Sequence, residues 1–175
     1  MVVGYKMYVE LVKPLLTGKD VVATGMMGEL QRCQLAIDRA LAGHKVALIS
    51  SGDVGVYGMA GLALEVCRER GLKAGSLVVG PEVDLSLEVI PGVPALSAGA
   101  ALLGAPLMHD FAVISLSDLL TPWEVIEKRV RAAGAGDFVL VIYNPQSKKR
   151  DWQLARVREL LQGYRAKETP VGIVS

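Results

Sequence analysis

Three observations in the sequence predict an α/β fold with largely parallel sheets. Short apolar runs alternate along the 175 residues with longer segments of helical periodicity, the pattern of strands joined by crossover helices. Several runs stop in Gly, Ser, Asp or Asn just before the next helix, as in KVALISSGDVGVY at 45–57. Hydrophobic residues make up 51% of the chain and aromatics only 5%, a balance suited to Val-, Ala- and Leu-rich layers.

Taken in order, Val2 and Val3 read as the end of a strand, and 5–16 as an amphipathic helix, so the chain is expected to begin mid-fold. A short strand follows at 20–23. Helix 29–41 puts Leu30, Cys33, Ile37, Ala40 and Leu41 on one face, with Gly43 as its stop. The run 46–49 is expected to be a buried parallel strand. Its loop feeds a helix at 57–69 that ends near Gly71. Strands are expected at 77–79 and 87–90, the second running into Pro91-Gly92, a turn dipeptide that divides the chain into domains 1–91 and 92–175. Beyond it come a small-residue helix at 95–103 and a strand at 111–116. Thr121, Pro122 and Glu124 announce a helix to about 133, with Thr as N-cap, Pro at the first helical position and Glu closing a T-x-x-E box. Gly134 ends it. Strand 138–143 stops at Asn144-Pro145. After the basic run Lys148, Lys149 and Arg150, helix 151–162 is expected to bury Trp152, Val157, Leu160 and Leu161, and 171–174 opens a last strand.

A formal net charge of +1 and a pI near 7.8 give no global attraction to nucleic acid or membrane. Cys33 and Cys67 fall in predicted helices without metal-ligand spacing, which points to buried thiols in a reducing cytoplasmic compartment. His44 and His109 are too few for a zinc cluster, and no metal is expected. Segment 89–108 carries no charged side chain, but Pro91, Gly92, Pro94, Gly99, Gly104 and Pro106 interrupt it, so it is not read as a membrane span. The N-terminus has no signal-peptide pattern.

The stretch that organises the chain is the loop after strand 46–49. Ligands of open α/β sheets sit beyond the carboxyl ends of the strands, where glycines let backbone approach them. Asp53 lies at that edge, and no Lys or Arg occurs between Val46 and Val66, which suits a cationic or hydroxyl-rich ligand better than a phosphate. No GxxxxGK[ST] is present. The alternative is a plain βα turn with Asp53 as a helix cap.

Four strings carry a family resemblance: VVGYKMYVELV from Val2, SSGDVGVYGMAG from Ser50, VIPGVPALSAGAALLGAPLMHDFAVISLSDLLTPW from Val89 and FVLVIYNPQSKKRDWQ from Phe138. Together they resemble the tetrapyrrole (corrin and porphyrin) methyltransferases over nearly the whole chain. HDFAVISLSDLLTPW and YNPxSxxRDWQ are similar to the branch that methylates C-17 of a precorrin, with ring contraction, in cobalamin biosynthesis. The resemblance implies a two-domain α/β enzyme, usually a homodimer, that binds S-adenosylmethionine (SAM) between its domains. It carries cofactor contacts onto Ser51, Gly52, Asp53 and Val56, onto Pro94 and Ala95, and onto Tyr143 and Asn144. Val54 and Pro94 stand where many relatives have Pro and Thr, so backbone contacts should survive better than side-chain ones. The family's opening Gly-Pro-Gly loop and closing strands have no counterpart here, so the chain is expected to lack both ends of such an enzyme.

Methyl transfer needs alignment, whereas ring contraction needs proton movement, for which His109 and Asp110 are the nearest candidates; the other reading is a loop capping strand 111–116. The many carboxylates of a corrin precursor call for a basic patch, and Lys148, Lys149 and Arg150 are its candidates, against the plainer reading of a solvated run. Glu29 and Arg32 are expected on a helix surface, Trp123 and Trp152 in the core, and Met26 and Met27 as gap fillers. Three other functions stay open: a paralogue methylating another ring position, a catalytically silent SAM-binding fragment, and a nucleotide-binding oxidoreductase, the last without its GxGxxG.

Overall fold

The computed structural model describes residues 1–75, 83–147 and 150–174. The chain forms two compact units, Met1–Ala95 and Leu96–Ser175.

In the first unit, β1 (Val2–Tyr5) lies between β2 (Val21–Thr24) and β3 (Ala47–Ile49) in a parallel sheet of order β2-β1-β3. Val2 pairs with Val21 on one side and Ala47 on the other. The buried centre is thus β1, with Val3 fully enclosed, and not the 46–49 run. Among the described residues that run has one sheet neighbour, β1, and its Ala47 is exposed. Gly4 lets β3 come close, since a Cβ there would stand 2.5 Å from Ile49 Cγ1.

The expected helix 5–16 is shorter, α1 (Lys6–Leu11) followed by a 3₁₀ turn at Lys13–Leu15, where Pro14 cannot donate to the α ladder. α2 (Glu29–Leu41) has the predicted bounds, although its buried face is Arg32, Cys33, Ala36 and Ile37 while Leu30 and Leu41 are exposed. It packs on β1, β3 and α3 (Ala60–Glu69), and Cys33, Ile37, Met59, Ala63, Val66, Cys67 and Leu85 close one core. β4 (Ala74–Gly75) and β5 (Leu85–Ser86) pair in parallel. β5 falls ahead of the expected 87–90, where Val89 and Ile90 are exposed; the expected strand 77–79 lies outside the described residues.

The second unit starts with α4 (Ala95–Leu102), whose first residue belongs to the first. β6 (Phe111–Ser115) and β7 (Val139–Tyr143) pair in parallel from Phe111↔Val139 to Ser115↔Tyr143. α5 (Trp123–Ala135) packs on β6 and on α6 (Gln153–Leu161), and Ile114, Leu116, Ile126, Val130, Ala133, Val157 and Leu160 form this unit's core. The T-x-x-E box does not form. Pro122, extended at φ −55° and ψ 143°, is itself the cap, with no side-chain bond. Gly134 does not stop α5, because the Tyr164 ring occupies the space a Cβ would need, with Cδ2 at 2.7 Å. Trp123 is partly covered, whereas Trp152 is 48% exposed and meets it edge to face at 4.7 Å, so Trp152 is no core anchor. The expected strand 171–174 has no ladder: Gly172 lies against Leu103 and Val174 near Gly99, so this segment meets the end of α4 instead of a strand.

Candidate functional site

β3 ends at Ile49 and the chain turns through Ser51 and Gly52, the latter at φ +67°, a left-handed conformation that costs glycine little. Asp53 then braces the loop. Its Oδ1 accepts the Gly55 N–H at 2.7 Å and its Oδ2 accepts the Gly92 N–H at 3.0 Å. The Gly92 N–H, with help from those of Gly55 and Val56, holds this carboxyl below its ordinary range. Asp53 is therefore an anion at neutral pH whose two oxygens are engaged by backbone. Gly92 packs so closely on the Gly52 carbonyl that a side chain would collide with it. Pro94 directly precedes α4 and Ala95 opens it, while Val56 closes a backbone turn onto the Asp53 carbonyl at 3.2 Å. The Asp53 loop and the Pro91-Gly92 turn, read as separate signals in the sequence, are one braced substructure of the first unit.

On the same sheet, past β2, Arg32 departs from its expected surface role. It is 3% exposed and donates to Thr24 Oγ1 at 2.7 Å, to the Gly25 carbonyl at 2.8 Å and to Glu29 at 2.9 Å. It thereby ties the end of β2 to the start of α2, with Met26 and Met27 exposed on the loop between, so they fill no gap.

In the second unit, the carboxyl ends of β6 and β7 gather Ser115, Tyr143 and Asn144. The Tyr143 hydroxyl accepts the Leu96 N–H at 2.9 Å in the first turn of α4. Asn144 is left-handed at φ +51° and its amide donates to Ser115 Oγ at 3.0 Å. Ser115 Oγ also accepts the Ser117 N–H at 3.2 Å, so both of its lone pairs are engaged. Sequence reasoning passed over Ser115, and only strand register brings it beside Tyr143.

Arg150 is 9% exposed and its Nε donates to the Asn144 carbonyl at 3.0 Å, unlike a solvated basic loop. Lys148 and Lys149 lie outside the described residues. His109 and Asp110 are exposed just before β6, at its amino edge, and the Asp110 carbonyl accepts the Val139 N–H at 3.0 Å. Five strand residues, about 16 Å of rise, separate them from the carboxyl edge that holds Ser115 and Asn144. Among the described residues no group of three or more His, Cys, Asp or Glu could hold a metal, and no helix is long and apolar enough to cross a membrane.

Parallel strands with glycine-bearing, backbone-lined loops at their carboxyl ends define the class of α/β proteins that bind small ligands at that edge. The chain belongs to the Tetrapyrrole (Corrin/Porphyrin) Methylases, whose family model matches residues 1–175. It is 55% identical over 174 residues to a probable cobalt-factor III C(17)-methyltransferase of Salmonella typhimurium, covering 99% of this chain and 68% of that protein. It is 45% identical over 152 residues to a precorrin-3B C(17)-methyltransferase of Sinorhizobium, covering 86% of this chain and 56% of that one. A crystal structure of the methyltransferase CobJ superposes with a TM-score of 0.82 at 38% identity, over 94% of this chain and 65% of that one. The chain thus spans about two thirds or less of the length of these relatives.

Proposed function

We propose that the chain is part of a SAM-dependent methyltransferase of cobalamin biosynthesis that methylates C-17 of precorrin-3B or its cobalt-bearing counterpart, with ring contraction. The observation that carries this reading is the 55% identity, across 99% of the chain, to a protein named for that reaction on cobalt-factor III. It also favours the cobalt-bearing substrate, since identity to the precorrin-3B enzyme is 45%.

SAM, when bound, supplies a methyl group already activated on a sulfonium. The residues proposed to hold it are Ser51, Gly52, Asp53, Val56, Pro94, Ala95, Tyr143 and Asn144. Their chemistry fits the group: no side chain crowds the left-handed Gly52, and each oxygen of the ionised Asp53, with one lone pair spent on a backbone N–H, keeps a second for a cation or a hydroxyl-rich ribose. Alignment of the methyl group with C-17 and exclusion of water are the tasks left to the chain. Lys148 and Lys149 are proposed to meet substrate carboxylates. His109 and Asp110 are the proposed proton carriers; their place at the amino edge of β6 supports the strand-capping role more directly. An His109→Ala variant with unchanged turnover removes the catalytic assignment. A homodimer in the cytoplasm completes the reading, supported by the family resemblance and by two free buried cysteines.

The test is incubation of the chain with SAM and either cobalt-factor III or precorrin-3B. A product heavier by one methylene equivalent, on either macrocycle, supports the assignment. S-adenosylhomocysteine binding without turnover on either supports the silent-fragment alternative instead.

A further inference from the structure

Two strings that single out the C-17 branch, LSDLLTPW and YNPxSxxRDWQ, are physically joined in the second unit. Asp118, in the loop after β6, accepts Gln153 Nε2 at 2.8 Å on Oδ2, and its Oδ1 lies 3.8 Å from Arg150 Nη1. Arg150 spends its Nε on the Asn144 carbonyl, and Ser147 and Arg150 exchange backbone bonds at 2.9 and 3.2 Å. Gln153 is 1% exposed. A buried guanidinium and a buried amide thus converge on one carboxylate, and the guanidinium holds the carbonyl of a residue that is not glycine yet adopts a left-handed backbone. Asn tolerates this conformation better than other residues with a side chain, so contacts on its carbonyl and amide are enough to bias it there. The amide of the same residue is fixed from the other side by Ser115.

We propose that Arg150, oriented by Asp118, is a positioning residue: it holds Asn144 in the left-handed conformation in which that residue contacts the methyl donor, and it does not itself bind substrate. This rests on the methyltransferase reading above and reassigns one of the three basic residues of the loop. Lysine cannot replace it, because a single ammonium does not reach a carbonyl and a carboxylate with the planar fork of a guanidinium. Asp118 ion-pairs with Arg150 and accepts from Gln153, so on this proposal its effect on Asn144 passes through Arg150, and the double variant tests that route.

The experiment compares the wild-type chain with Arg150→Lys, Asp118→Asn and the double variant. S-adenosylhomocysteine affinity is read by calorimetric titration, the substrate KM at saturating SAM, and the melting temperature separately. Arg150→Lys is expected to weaken S-adenosylhomocysteine about tenfold while leaving the substrate KM within twofold. Asp118→Asn is expected to act in the same direction, with the double variant no worse than Arg150→Lys alone, as for residues acting through one contact. A raised substrate KM with unchanged S-adenosylhomocysteine affinity would overturn the proposal in favour of direct substrate binding. A lower melting temperature with both functional constants unchanged would leave Arg150 a purely structural brace. Should Arg150→Lys fail to fold, Asp118→Asn, at a partly exposed side chain, decides on the same readouts. A wild-type chain that binds no S-adenosylhomocysteine refutes cofactor binding by this stretch of the enzyme and the positioning role with it, whereas wild-type binding with unaffected variants refutes only the positioning role.

Discussion

Gly92→Ala tests whether the brace between the Asp53 loop and the Pro91-Gly92 turn shapes the cofactor site. The added methyl carbon would collide with the Gly52 carbonyl oxygen and stand 3.1 Å from its carbon and 3.4 Å from Asp53 Cα. None of these atoms is the tip of a flexible side chain, so one backbone segment must move. Withdrawing the turn takes the Gly92 N–H away from Asp53 Oδ2, now at 3.0 Å. Forcing a methyl group into a packed site costs about 1–3 kcal/mol. If the strain falls on the loop conformation that receives the ligand, S-adenosylhomocysteine affinity drops by about 5- to 150-fold, at tenfold per 1.4 kcal/mol. Calorimetric titration measures the affinity and guanidinium unfolding the stability. Gly61→Ala is the control: nothing lies within 4 Å of its added Cβ, and in α3 it should stabilise by up to about 1 kcal/mol. A Gly92→Ala chain that binds S-adenosylhomocysteine within twofold of wild type and unfolds with it would refute the brace.

The other predictions concern charge and packing. Asp53 has a lowered native pKa, so its contribution to stability is present above the ordinary value of 3.8 and is lost as pH falls through the native one; Asp53→Asn should flatten the acid limb of stability in guanidinium unfolding, and an unchanged limb counts against an ionised brace. Burial pushes the Cys33 thiol up to about 11 from 9.0, so its contribution holds below pH 9 and is lost as pH rises toward 11; native protein at pH 8 should resist a thiol reagent that labels both cysteines in guanidinium. Ile126→Ala, at a side chain 1% exposed, should cost about 2–5 kcal/mol, and Ile126→Val about 0.5–1.5, in chemical denaturation.

What was legible in the sequence was what local rules control. α2 kept its bounds because its apolar period and Gly43 agree, and the parallel layers followed from the strand–helix alternation. The misreadings share one cause, that burial depends on neighbours. The run at 46–49 is more apolar than Val2 and Val3, yet pairing on both sides makes β1 the enclosed strand. Gly134 reads as a stop until the Tyr164 ring is seen against it. At the candidate site, Asp53 and Gly92 were each conspicuous, but the bonds joining them cross 39 residues. Arg32 was read on a helix surface and Arg150 in a basic run that either meets substrate carboxylates or is solvated, and only carbonyls and carboxylates brought in from elsewhere let each be buried. Ser115 carried no motif and became visible through register alone.

The central place of β1 also bears on how the unit is made. On a ribosome β1 is made before either of its partners: Val21 of β2 follows about 20 residues later and Ala47 of β3 about 45 residues later, the second roughly 2–9 s on at ordinary elongation rates. Until β3 arrives, Val2 and Val3, enclosed in the finished unit, keep at least the edge that β3 will cover open to any other nascent chain. Of the three strands in this sheet, the one most protected at the end is the one that waits longest for its last neighbour, and the yield of folded protein should depend more on what shields residues 2–5 in those seconds than on the stability of the completed sheet.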